Sequence, residues 1–162
     1  MIFVPSNEGR VYAYTLNVMR SRYRRWTNLG QPGNDIDMYG ILEAMNQLPG
    51  VVTIFCCESH PARRKPDRFY VMCMADPRGV VQLGKVVEAC HRQMNVTWPL
   101  SHTEIVNLVH TRAILPISQI QGDWVSYPAY VIECQKVTRK GKREFLWQFL
   151  QAVEEVRERC AT

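Results

Sequence analysis

Cys57, Glu58, Ser59 and His60 are consecutive, and Arg63, Arg64, Lys65 and Arg68 follow within the next eight residues. These residue types support two chemistries. In the first, Cys57 is a nucleophile. A thiol becomes a thiolate when an imidazolium or several guanidinium groups stand near it. His60 would then serve as general acid or base, with Glu58 orienting its ring. In the second, the stretch binds and does not react. Arg63, Arg64, Lys65 and Arg68 present a fork of donors to phosphate, and Ser59 and His60 add hydrogen bonds. Pro61 and Pro66 stiffen the segment and lower the cost of ordering it on binding. The binding reading needs fewer coincidences, because a cysteine that ends a core strand is more often packed than reactive.

Apolar runs on either side must hold this stretch. Val51, Val52, Ile54 and Phe55 precede it, and Phe69, Tyr70, Val71, Met72, Cys73 and Met74 follow. Both runs are β-branched, aromatic or otherwise apolar on both alternating faces, which suits buried central strands. The segment Cys57–Arg68 is then a loop clamped at both ends, the usual way a rigid scaffold presents a site.

Two further cation clusters exist. Arg20, Arg22, Arg24 and Arg25 interleave with Tyr23 and Trp26. Aromatic faces among cations stack on bases, so Arg24 and Trp26 join the candidate ligand-binding residues. Lys136, Arg139, Lys140, Lys142 and Arg143 form the third cluster. The net charge of +5 is thus concentrated, a pattern that attracts phosphate-bearing partners or an acidic protein.

The remaining elements follow from periodicity. Val11–Val18 alternates as a first strand, and 28–35 is a turn-rich loop. Asn34 or Asp35 caps a helix to about Gln47, with Met38, Ile41, Leu42, Met45 and Leu48 as its stripe, and Pro49-Gly50 ends it. Asp76–Gly79 reads as a turn, followed by a helix over Val80–Gln93. Val96–Leu100 suggests a short strand. Ser101–Glu104 matches a capping box, so a short helix or turn is expected there, then a strand near Thr111–Pro116. Gln119–Trp124 reads as loop and Tyr127–Gln135 as a strand, with Pro128 marking an edge or a beginning. A basic turn, Thr138–Lys142, leads to the clearest helix, Glu144–Arg159. The order predicts an α+β fold: one mostly antiparallel sheet with about three helices on one face, in a single domain spanning 1–162.

Composition sets the bounds. The 162 residues are 46% hydrophobic and 22% charged, ordinary for a globular chain. No run approaches the ~18 apolar residues of a membrane span, and the N-terminus lacks the features of a signal peptide. A cytoplasmic protein with no membrane partner is therefore expected. Of six cysteines, Cys73, Cys90 and Cys134 fall within apolar patterns and read as buried small hydrophobes. Without a CxxC pair no metal site is expected. The strings of common hydrolases and dehydrogenases are missing, and no cofactor is indicated by the residues themselves.

Pro49-Gly50, Thr53 and then Cys57-Glu58-Ser59-His60 resemble a pattern in small bacterial and phage proteins, where a strand with Thr leads into Ser-Cys-x-Gly-His. The stretch is also distantly similar to the Ser-Ser-Cys-Ser-Gly loop of the wybutosine-synthesis methyltransferase family, which modifies transfer RNA using S-adenosylmethionine. The match covers about a dozen residues, with Cys56 in place of the first Ser and Ser59 in place of the Gly. The resemblance implies an RNA-linked activity centred on Cys57 and His60. The leading expectation is a small basic accessory protein that binds a nucleotide or nucleic-acid phosphate, of a phage type that sequesters or inhibits a target. An RNA-modifying or thiol-dependent enzyme and a module docking an acidic protein stand beside it, with homo-oligomer formation left open.

Overall fold

The computed structural model describes residues 2–5, 11–14, 38–59, 67–97, 106–116 and 124–161. Strands β1 (Ile2–Pro5) and β2 (Val11–Tyr14) pair antiparallel as a two-stranded sheet. Helix α1 (Tyr39–Met45) leads into β3 (Val51–Cys57) and β4 (Asp67–Ala75). Helix α2 (Pro77–Thr97) precedes β5 (Val106–Pro116) and β6 (Trp124–Val137), and α3 (Lys142–Ala161) closes the described chain. The main sheet runs β3-β4-β6-β5 and is antiparallel throughout. Among the described residues this is an α+β fold with three helices and a four-stranded antiparallel sheet, as expected.

Pairing partners in an antiparallel ladder share a face, so the register assigns every side chain. One face carries Cys56, Val71, Ile132 and Leu108 in a row, with Phe69, Cys134 and Val106 beside it. These residues meet the stripes of all three helices: Ile41, Leu42 and Met45 of α1, Leu83, Val86 and Cys90 of α2, and Phe145, Phe149 and Val153 of α3. Phe69 is fully buried, with its ring centroid 4.9 Å from both Phe145 and Phe149. On the opposite face Val52, Met74, Ala129 and Val131 are buried outside that core, and β1 touches β6.

Several sequence expectations change. Both flanking strands reach further into the central loop than their apolar runs, since Cys57 pairs with Tyr70 and Asp67 with Val137. Only β4 is central; β3 is an edge strand. Its apolar residues are nevertheless buried on both faces, Val51 in the helix-side core and Val52 outside it; a bulge falls at Ile54, and the Thr53 hydroxyl and N–H are satisfied by the Asn46 side chain at 2.7 and 3.0 Å. The Asp76–Gly79 turn is the start of α2. The Asp76 carboxylate accepts from the Gly79 N–H at 2.9 Å, and Pro77 suits the first helical position. Helix α2 continues through Thr97, so Val96 and Thr97 are not strand. The strand expected near Thr111–Pro116 begins already at Val106, where the sequence suggested the end of a short helix or turn, because the long partner β6 captures all of it. Trp124 lies in β6, not in a loop. Pro128 sits within that interior strand, just past the last β4 pair at Tyr130, where only β5 demands hydrogen bonds. The strand expected first in the chain, over Val11–Val18, is β2, preceded by β1 at Ile2–Pro5 and described to Tyr14; 28–35, 98–105 and 119–123 lie outside the described residues.

Asp76 also ties the sheet to α2, because its N–H donates to the Gly50 carbonyl at 3.0 Å. Gly50 has φ +79°, and a Cβ on Gly79 would strike that same carbonyl, so both glycines are required by the close approach. Desolvation raises the Asp76 pKa, but the Gly79 amide and the Arg78 guanidinium outweigh it and hold the group below its ordinary value of 3.8. A depressed carboxylate stabilises the fold above its unfolded pKa and loses that contribution as pH falls through the folded one. Asp76→Ala is therefore expected to cost ~1 kcal/mol at pH 7, with the gap to wild type narrowing below about pH 4. Denaturant unfolding at the two pH values checks this; an equal deficit at both would contradict it.

Candidate functional site

The ends of β3 and β6, the start of β4 and the start of α3 meet at one end of the sheet. Cys57 lies opposite Tyr70, Tyr70 opposite Glu133, and Asp67 opposite Val137. The chain then turns through Thr138–Gly141, where the Gly141 N–H donates to Thr138 Oγ1 at 3.1 Å, and enters α3 at Lys142. The end of β3 with Glu58 and Ser59, the start of β4 with Arg68, and the 136–143 stretch are thereby neighbours, although far apart in sequence.

Lys142 joins them. Its Nζ donates to Glu58 Oε1 at 2.8 Å, and both side chains are largely buried. A lysine in the first turn of a helix opposes the helix dipole, so an acidic partner beyond the helix is electrostatically favoured. Arg68 pairs with Glu133, which also accepts from Gln135 at 2.8 Å, and its guanidinium carbon lies 5.0 Å from the Tyr70 ring centroid. Gln148 donates to Glu144 at 2.9 Å.

These contacts engage the glutamates at this end. Lys136, Arg139, Lys140 and Arg143 are exposed, and among the described residues none of the four forms an ion pair.

Ser59 follows directly. It is fully buried at φ +74°, the one non-glycine in the left-handed region among the described residues. Such a conformation costs about 1–3 kcal/mol and persists where surroundings impose it. Among the described residues its Oγ has no hydrogen-bond partner. Ser59 thus adopts a backbone that glycine would accommodate without strain.

Of the residues singled out in the sequence, Cys57, Glu58, Ser59 and Arg68 lie together at this end. Cys57 is half-buried on the face opposite the helices, and Glu58 Oε1 is held by Lys142. His60, Arg63, Arg64, Lys65, Arg24 and Trp26 lie outside the described residues. His110 is exposed on β5, its ring 5.1 Å from that of Tyr130, away from this end. His91 bonds the Val106 carbonyl at 2.7 Å and fastens α2 to β5.

Cys73, Cys90 and Cys134 are buried free thiols. Burial pushes all three above the ordinary thiol range, Cys134 to about 11, so they remain protonated and inert at neutral pH. Among the described residues no three His, Cys, Asp or Glu side chains gather as a metal site. None of the helices is long and apolar enough to cross a membrane, within the described residues.

Sequence reasoning missed Lys142 as a partner of Glu58. The signal was its place one residue past a glycine turn, at the head of an amphipathic helix. Only the β4–β6 register puts that head beside the end of β3. Comparison with protein families, with characterised proteins and with solved structures finds no match to the chain.

The Lys142–Glu58 pair predicts strong coupling, because removing either partner leaves a poorly solvated charge. Glu58→Gln and Lys142→Met should each destabilise the fold by about 1–3 kcal/mol, and the double variant by less than their sum, leaving a coupling of at least ~0.5 kcal/mol. A double-mutant cycle in urea measures it; strictly additive losses would show that the contact carries no stabilisation.

Proposed function

We propose that this protein binds phosphate groups of a nucleotide or a nucleic-acid backbone at the cationic end of its main sheet. The observation that carries the reading is the set Lys136, Arg139, Lys140 and Arg143. All four are exposed and make no ion pair among the described residues, beside a place where Glu58 and Glu133 are already paired with Lys142 and Arg68. Exposed cations without internal partners raise the local positive potential and release counterions when they meet phosphates. In the sequence, the segment between Ser59 and Asp67 carries three more cations, Arg63, Arg64 and Lys65.

Arg68 serves a different role. Its pairing with Glu133 and its place over Tyr70 make it a positioned group more than a free charge. Direct contact with a ligand would use its outer edge, since the side chain is 46% exposed.

The test is a binding titration against salt with labelled oligonucleotides and nucleoside triphosphates, with polyglutamate as the acidic-protein control. Phosphate contacts predict log K falling linearly with log salt, by about 0.7–0.9 per phosphate neutralised. Reversing Lys136, Arg139, Lys140 and Arg143 to Glu should abolish most of the binding and flatten that slope. A response that ignores salt, or a reversed variant binding as well as wild type, would remove the proposal; polyglutamate binding as tightly as oligonucleotides would assign the surface to acidic proteins.

A further inference from the structure

The face of the main sheet opposite the helices is divided. Away from the cationic end, Val52, Met74 and Ala129 are buried, and Val131 is the buried member of the next row. Toward that end it opens. The ladder lines up Phe55, Met72, Val131 and Val109 across the four strands, and then Cys57, Tyr70, Glu133 and Asn107. Phe55 is 38% exposed and Val109 40%, while Met72 and Tyr70 are half-buried. Arg68 extends over the Tyr70 ring one step closer to the cation cluster.

A phenylalanine on an exposed edge strand, away from the core, has an apolar ring face turned to water. A tyrosine capped by a guanidinium presents a second flat group beside it. The two rows are two residues apart along each strand, roughly 7 Å. Beyond them lie Lys136, Arg139, Lys140 and Arg143. Flat apolar groups that grade into unpaired cations complement a ligand with flat apolar groups strung on an anionic backbone.

We infer that this half-face is a stacking platform for single-stranded nucleic acid. Bases would pack on Phe55 and on the Arg68–Tyr70 pair, and the phosphates would run toward the cations at the end of β6 and the head of α3. The inference rests on the phosphate-binding reading and deepens it. A duplex buries its base faces within its own stack, so it can use the cations but not the rings. Base stacking on an aromatic is tolerant of sequence, so the platform selects strandedness over sequence.

Fluorescence anisotropy separates the two levels. The probes are a labelled dT12, a labelled U12, the dT12·dA12 duplex, and inorganic polyphosphate as competitor, all at one salt concentration. Single strands should bind at least 10-fold tighter than the duplex. Phe55→Ala should weaken dT12 and U12 binding about 5- to 100-fold and leave polyphosphate competition unchanged. Phe55→Tyr, which keeps a ring, should retain affinity, and circular dichroism establishes that both variants are folded. A difference between dT12 and U12 reports a contact to the 2′-hydroxyl or to the thymine methyl and leaves the stacking result intact. Equal affinity for single strands, duplex and polyphosphate, with Phe55→Ala silent, overturns the platform while the phosphate-binding reading stands. No binding to any phosphate polymer overturns both.

Discussion

Phe69 packed against Phe145 and Phe149 is the contact on which the rest of the structure depends. Offset and edge-on aromatic pairs add about 0.5–1.5 kcal/mol each beyond the area they bury. The larger consequence is positional. Phe69 belongs to β4, the strand between β3 and β6, while both partner rings lie in the first half of α3. The contact therefore fixes the head of the last helix over the start of the central strand. Lys142 can then reach Glu58 at the end of β3, and the basic turn 138–141 is set at the edge of the sheet.

Charge at this end follows from that placement. Two carboxylates that would neutralise a cationic surface are paired, Glu58 with Lys142 and Glu133 with Arg68, while Glu144 accepts from the neutral Gln148 amide and keeps its charge. The exposed cations are left over, and the strained, buried Ser59 marks the point where the chain leaves β3. On the helix-free face, the same register that buries Phe69 inward turns Arg68, Tyr70 and Met72 outward. The proposed ligand surface and the hydrophobic core are thus two sides of one ladder.

Much of the fold was legible in the sequence because its signals are local. The stripes of the three helices, Pro49-Gly50 as a stop and the apolar runs of β3 and β4 all depend on neighbours a few residues apart. What could not be read depended on distant partners. Nothing near Val106 says that the segment is strand until β6 supplies its hydrogen bonds. The apolar character of β3 suggested a central strand, when β3 lies at the edge of the sheet with Val51 and Val52 buried on opposite faces. Asp76-Pro77 carries turn and helix-start signals alike, and the Gly79 amide decides between them. The site was half legible. Cys57, Glu58, Ser59 and Arg68 were found from residue type and spacing, whereas the neighbourhood of Lys142 and Glu58, eighty-four residues apart, exists only through the β4–β6 pairing.

Amide chemical-shift mapping during titration with dT12 tests most directly whether these strand ends and this helix head act as one ligand surface. The account predicts shifts concentrated at Phe55–Cys57, Arg68–Met72 and Lys136–Glu144, saturating together with one affinity, while Pro77–Gln93 of α2 stays unmoved. Shifts centred on α2, or separate affinities for the three segments, would contradict it.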